Sequence, residues 1–118
     1  MHPYFLIIIS VVLGACGQVV LKMGTLKLSV AGLSLLEQFV KYFTSLPILA
    51  GLLLYTLSAV VWVFAIARVQ LSIAYPMVAS GYVLVVLLSY LLLHEPVSGL
   101  RILGLLIIVT GVIIIANS

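Results

Sequence analysis

The chain has 118 residues, of which 66% are hydrophobic and only 6% charged, with a formal net charge of +3 at pH 7. An ordinary soluble domain carries roughly 25% charged side chains, so water alone cannot hold this chain in solution. A hydrocarbon core of about 30 Å takes roughly 20 apolar residues per helix, and with no water inside it every backbone polar group must be satisfied within the helix. Composition therefore predicts an all-α membrane protein packed with spanning helices.

The opening MHPYFLIIIS lacks a basic segment and a small-residue cleavage site, and is expected to be the first mature span. That span is predicted over about residues 3–23, with Pro3 suited to a first helical turn where its missing N–H would be unpaired anyway. Cys16 is the single cysteine, so it forms no intrachain disulfide, is too little for a metal site and is expected to pack between helices.

Between about residues 24 and 46, Leu33, Leu36, Phe39, Val40 and Phe43 share one helical face while Ser34, Glu37, Gln38 and Lys41 take the others. This pattern predicts an amphipathic interfacial helix or an extended start to the second span at headgroup level. Glu37 and Lys41 have the favourable i,i+4 order for a helix-surface pair. The second span is expected from about Pro47 to just before Arg68, the third over about residues 72–93 and the fourth over about residues 99–116. Pro96 in the HEP of residues 94–96 disfavours helical geometry at Glu95 and closes the third span.

An even number of spans puts both termini on one side. The first and third connections, with their flanks, hold Lys22, Lys27, Lys41 and Arg101 against Arg68 on the other side, which places those connections in the cytoplasm. With Lys22 set inside the membrane the excess falls to three against one.

In the first span Ser10, Gly14, Gln18 and Lys22 recur every four residues, a narrow small-and-polar face on an otherwise apolar helix. Such a face turns from lipid. Gln18 can bond to a neighbouring helix or to a polar substrate, and Lys22 can snorkel to headgroups or attract an anion such as phosphate. Tyr55, Ser58 and Trp62 line one side of the second span, and Ser72, Tyr75, Ala79, Tyr82 and Ser89 one side of the third. Flat rings with a hydroxyl or indole donor suit an interfacial anchor or the wall of a groove. Pro76 removes a backbone hydrogen bond beside Tyr75 and predicts a kinked, polar spot. Glu95, one of two carboxylates, can cap a loop, pair with Lys22 or an amine, or exchange protons. Gly104 and Gly111, seven residues apart on the fourth span, allow close helix contact, either within the chain or across a dimer. No nucleophile triad, carboxylate pair, phosphate loop, metal set or basic nucleic-acid stripe can be assembled, so neither an enzyme nor a cofactor nor nucleic acid is expected.

These stretches carry a resemblance. With YFLIIISVVLGACGQVVLK at its start and GLLIIVTGVIII at its end, the chain resembles the small multidrug resistance family of the drug/metabolite transporter superfamily along nearly its whole length. The drug-exporting branch carries a glutamate eight residues before a lysine in the first span, where this chain has Gly14 before Lys22, and Val78 stands where that branch has a tryptophan. GQVVLK, SIAYPMVASGYVLVVL and LHEPVS are more similar to the aminoarabinose-phosphoundecaprenol flippase subunits and their EamA-like relatives. That resemblance implies one four-helix transporter domain over residues 1–118, in the bacterial inner membrane, moving an undecaprenyl-phosphate-linked sugar for envelope glycolipid modification. A homodimer, or a heterodimer with a similar four-span subunit, is implied as well. Gln18, Lys22, Trp62, Tyr75, Tyr82 and Glu95 are the candidate substrate-binding residues, with Pro76 and His94 beside them, and Gly104 and Gly111 the candidate dimer contacts. The competing expectation is an exporter of small cations or metabolites, which lacks its coupling carboxylate at Gly14.

Overall fold

The computed structural model describes residues 3–118. Helix α1 runs Pro3–Leu26, α2 Leu35–Phe43, α3 Leu46–Ile66, α4 Leu71–Val78, α5 Ser80–Leu93 and α6 Gly99–Ala116. Among the described residues four segments are long and apolar enough to cross a membrane: Tyr4–Leu26, Leu46–Ile66, Leu71–Leu93 and Gly99–Ala116. The chain is thus an all-helical multi-pass membrane protein. Because successive spans alternate in direction, α2 and the α5–α6 turn share one end of the bundle. The α3–α4 turn, the start of α1 and the end of α6 share the other.

The expected short helix after the first span forms as α2, and its start is specified by side chains. The Ser34 hydroxyl accepts from the Glu37 N–H at 3.2 Å and donates to the Glu37 carboxylate at 3.2 Å, satisfying a backbone donor that the first turn leaves open. This corrects the expected Glu37–Lys41 pair. Glu37 serves the cap, and the Lys41 ammonium donates to the Ser29 carbonyl instead.

The third span runs over Leu71–Leu93 as expected, but its hydrogen bonding is interrupted. Pro76 carries no N–H for the Ser72 carbonyl, and at Ala79, which keeps right-handed helical dihedrals (φ −61°, ψ −21°), the N–H bonds the Pro76 carbonyl at 2.9 Å while Tyr82 N–H bonds the Ala79 carbonyl at 3.0 Å. These tighter i+3 bonds, with the Ser80 hydroxyl on the Met77 carbonyl at 2.7 Å, keep the break satisfied where no water is available. At the far end of α5, His94 adopts a left-handed conformation with φ 57°, which stops the helix before Pro96. Ser98 then caps α6 through the Arg101 N–H at 3.3 Å, and the Arg101 guanidinium holds the Pro96 carbonyl at 2.9 Å.

Packing centres on α1 and α3. Two glycines allow the approach: a Cβ on Gly17 would lie 3.1 Å from the Gly51 carbonyl oxygen, and one on Gly51 would lie 2.9 Å from the Leu21 nitrogen. One step along the same seam, Ser10 and Ser58 clasp each other. Ser10 Oγ donates to the Ser58 carbonyl at 2.9 Å, Ser58 Oγ to the Ser10 carbonyl at 2.7 Å, and the hydroxyls stand 3.2 Å apart. Interhelical bonds of this kind contribute on average about 0.6 kcal/mol in membranes. Ser10→Ala and Ser58→Ala are each expected to cost about 1 kcal/mol, with the double variant losing less than the sum because the hydroxyls share a contact. Denaturant unfolding in detergent of the two single variants and the double measures this; strictly additive losses would contradict the shared contact.

At the end where α1 starts, Ile7, Ala65 and Ala74 form a buried cluster against which Trp62 packs. Helix α6 has no buried residue and packs on α4 and α5.

Candidate functional site

Between α1, α3 and the broken α4–α5 span lies a cavity of about 390 Å³, within the roughly 300–1,000 Å³ of small-ligand sites. Ser10, Gly14 and Gln18 line it from α1, Tyr55, Ser58 and Trp62 from α3, and Tyr75 and Tyr82 from α4 and α5. The polar stripe of the first span therefore faces the cavity over three of its turns. Each element has a local reason to be there. The small side chains of Ser10 and Gly14 keep α1 close to Ser58 and leave room beside it. The break at Ala79 separates the helix bearing Tyr75 from the one bearing Tyr82. Trp62 meets Tyr75 edge-on, with ring centroids 6.5 Å apart at 67°, a favourable aromatic geometry that fixes both rings.

The cavity is open, not enclosed. Tyr55, Tyr75 and Tyr82 are 49%, 67% and 57% exposed, and Gln18 is exposed too. The Ser10 and Ser58 hydroxyls are spent on each other, so the groups left for a guest are the Gln18 amide, three tyrosine hydroxyls and the indole N–H. No charged residue lines the wall. Such a lining can donate and accept hydrogen bonds and can stack on a sugar face or a cation. It offers no nucleophile and no acid–base pair.

Of the candidate residues, the cavity gathers Gln18, Trp62, Tyr75 and Tyr82. Lys22 and Glu95 are not in its wall. Lys22 is exposed one turn beyond Gln18 on α1, about 6 Å further along the axis, and its carbonyl accepts from Thr25 at 2.8 Å. Glu95 is half-buried just past α5, its N–H on the Ser89 carbonyl at 3.2 Å. Both lie toward the α2 end of the bundle, yet among the described residues no ion pair joins them. A Cβ added at Gly104 or Gly111 would meet nothing within 4 Å, so within one chain these glycines bring no helices together. Val85, which lines the cavity, carried no sequence signal, since an apolar residue in a span looks the same whether it faces lipid, a neighbour or a void, and Val78, also in the wall, was marked only by its departure from the drug-exporting branch. The Ser10–Ser58 clasp was half visible: both serines lay on polar faces, but their pairing needs the register of α1 against α3.

Comparison with known proteins agrees with this picture. No protein-family model matches the chain, and no solved structure does. Among curated proteins, the chain is 32% identical over 124 residues to the probable 4-amino-4-deoxy-L-arabinose-phosphoundecaprenol flippase subunit ArnF of Photorhabdus laumondii, covering 99% of this chain and 98% of that one. It is 44% identical over 68 residues to the ArnF of Shewanella sediminis, covering 56% of this chain and 47% of the relative. With the ArnE subunit of Pseudomonas aeruginosa it shares 39% over 68 residues, 58% of this chain and 59% of that one. In these last two matches the chain spans about half the length of the relative. The full-length match to the Photorhabdus protein, added to four spans with GQVVLK and HEP at the same end of the bundle, means that the chain belongs to the family of aminoarabinose-phosphoundecaprenol flippase subunits.

Proposed function

We propose that this chain is one subunit of a flippase that carries an undecaprenyl-phosphate-linked aminosugar across the bacterial inner membrane for envelope glycolipid modification, with residues 1–118 acting as a single transport domain. The observation that carries the reading is the open cavity among the spanning helices, lined by Gln18, Tyr55, Trp62, Tyr75 and Tyr82. A lipid-linked sugar needs shielding only for its polar head while its prenyl tail stays in lipid, which an open groove provides and an enclosed pore does not. Sugar hydroxyls find hydrogen-bond partners on Gln18 and the tyrosines, and a protonated sugar amine is stabilised over aromatic faces without a carboxylate in the wall. The phosphate stays outside the cavity, toward Lys22, and Glu95 at the same end is placed to meet the amine as the head enters or leaves. The exporter reading has less support, because the cavity wall contains no carboxylate to couple to protons.

Lys22 gives the test. A lysine at this depth is costly without an anion, and no carboxylate pairs with it among the described residues. With undecaprenyl phosphate as the probe, Lys22→Ala is expected to fold normally but lose the lipid-induced rise in melting temperature, and Lys22→Arg to keep part of it. Full stabilisation of Lys22→Ala by the lipid would remove the phosphate from this position.

The subunit assembles with a second four-span chain, a copy or a similar protein, through α6. Gly104 and Gly111 lie on one face, and a shallow groove beside them is lined by Leu106, Ile107, Thr110 and Ile114. Small residues let backbones approach closely, which drives helix association in lipid. Gly104→Leu or Gly111→Leu is expected to abolish crosslinked dimers in detergent while the monomer stays folded, and unchanged crosslinking would exclude this face.

A further inference from the structure

Helix α2 is turned outside in. Leu35, Leu36, Phe39, Val40 and Phe43 fall within one arc of about 140° at 100° per residue, and every one of them is exposed, from 45% at Phe43 to 85% at Leu35. Phe39 and Phe43 stack with centroids 4.6 Å apart, making the arc a continuous slab. The opposite face is the one engaged with the chain. There Gln38 and Lys41 are half-buried, Gln38 donating to the Leu33 carbonyl at 3.1 Å and Lys41 to Ser29. An apolar patch of this extent is covered in the working protein.

Its surroundings say by what. Only Thr44 and Ser45 separate α2 from α3, so the Phe43 end of the slab sits within about 10 Å of the point where a spanning helix begins, the depth of the bilayer interface. The same end of the bundle carries Lys22, Lys27, Lys41 and Arg101 against Glu37 and Glu95. Lys41 donates to the Ser29 carbonyl, which ties the connection after α1 to the polar side of α2, and Lys27 stands two residues before that tie. Lys27 is exposed, its N–H closing the last turn of α1 on the Gly24 carbonyl at 3.3 Å while its ammonium donates no hydrogen bond among the described residues.

We infer that α2 and Lys27 form a docking surface for anionic phospholipid, the Phe39–Phe43 slab lying at the acyl-chain boundary and Lys27 meeting the headgroup phosphate. This surface is separate from the cavity and stands whether or not the chain moves a lipid-linked sugar. The test uses the full-length chain in nanodiscs, with Cys16→Ala and a nitroxide on Leu36→Cys or Glu37→Cys. The label at 36 is expected to be open to oxygen and closed to a water-soluble nickel chelate, and the label at 37 the reverse. The label at 36 is also expected to move deeper when phosphatidylglycerol is added to phosphatidylcholine, and Lys27→Gln to lose that lipid dependence. A label at 36 that is open to the chelate, meaning water, or shielded from both reagents, meaning protein, would overturn the proposal. So would a depth indifferent to phosphatidylglycerol, or a lipid dependence unchanged in Lys27→Gln.

Discussion

Gly51→Leu is expected to leave no folded protein. A Cβ at this position would stand 2.8 Å from the Leu21 Cγ and 2.9 Å from the Leu21 nitrogen, and the second contact is backbone, which no rotamer change can relieve. Even Gly51→Ala must push α1 and α3 apart, at a cost of about 1–3 kcal/mol for overpacking. The separation would also break the Ser10–Ser58 clasp, and the larger side chain adds to both losses. Gly17→Leu meets the Gly51 carbonyl from the other side of the same contact and should behave alike. Gly104→Ala, with nothing within 4 Å of the new methyl, is the control and should remain folded. The folded fraction recovered by size exclusion and the midpoint of denaturant unfolding in detergent measure these effects. A monodisperse, native-like Gly51→Leu would mean that the seam between α1 and α3 is not set by these glycines.

Val78→Trp is expected to stop transport without unfolding the chain. Val78 ends α4 and lines the cavity, so an indole there extends into open space and not into packed side chains, and the overpacking cost seen at Gly51 does not arise. It would occupy the room between Gln18 and the tyrosine rings that the sugar head needs. Translocation should fall by at least about tenfold, the effect of about 1.4 kcal/mol on a barrier, while the melting temperature stays near that of the unsubstituted chain. Transport at the original rate would show that the head group passes elsewhere.

Much of this architecture is legible in the sequence because the bilayer imposes it. A span must be long, apolar and internally hydrogen-bonded, so the four crossings, the stop at HEP and the amphipathic α2 follow from composition and punctuation alone. The face bearing Ser10, Gly14 and Gln18 is legible for the same reason, since polar groups in a span must turn from lipid. Distances between helices are less accessible. Gly51 sits in a uniformly apolar run and gives no periodic signal, yet it sets the α1–α3 register and through it which serine meets Ser58. The tightened turn of the third span falls at Ala79, three residues past Pro76, a position that the proline alone does not specify, since its missing N–H acts on the Ser72 carbonyl. Lys22 and Glu95 could be named as the ionisable groups at the span ends, with Lys22 grouped with Gln18 by its spacing and Glu95 by the family resemblance, and the helices carry both past the cavity wall toward the α2 end. The glutamate and lysine of α2 show the same limit at short range, since a cap and a nearby carbonyl outcompete the i,i+4 pair.

The most direct test of the flippase reading is translocation in proteoliposomes. Aminoarabinose-phosphoundecaprenol in vesicles holding the chain, alone or with any four-span subunit that copurifies with it, is followed by the exposure of its amine to a membrane-impermeant amine reagent. Transfer between leaflets by the unsubstituted protein, lost in Val78→Trp and in Lys22→Ala with both still folded, is the result predicted. Absence of lipid transfer together with proton-driven efflux of a quaternary amine from the same vesicles would contradict it.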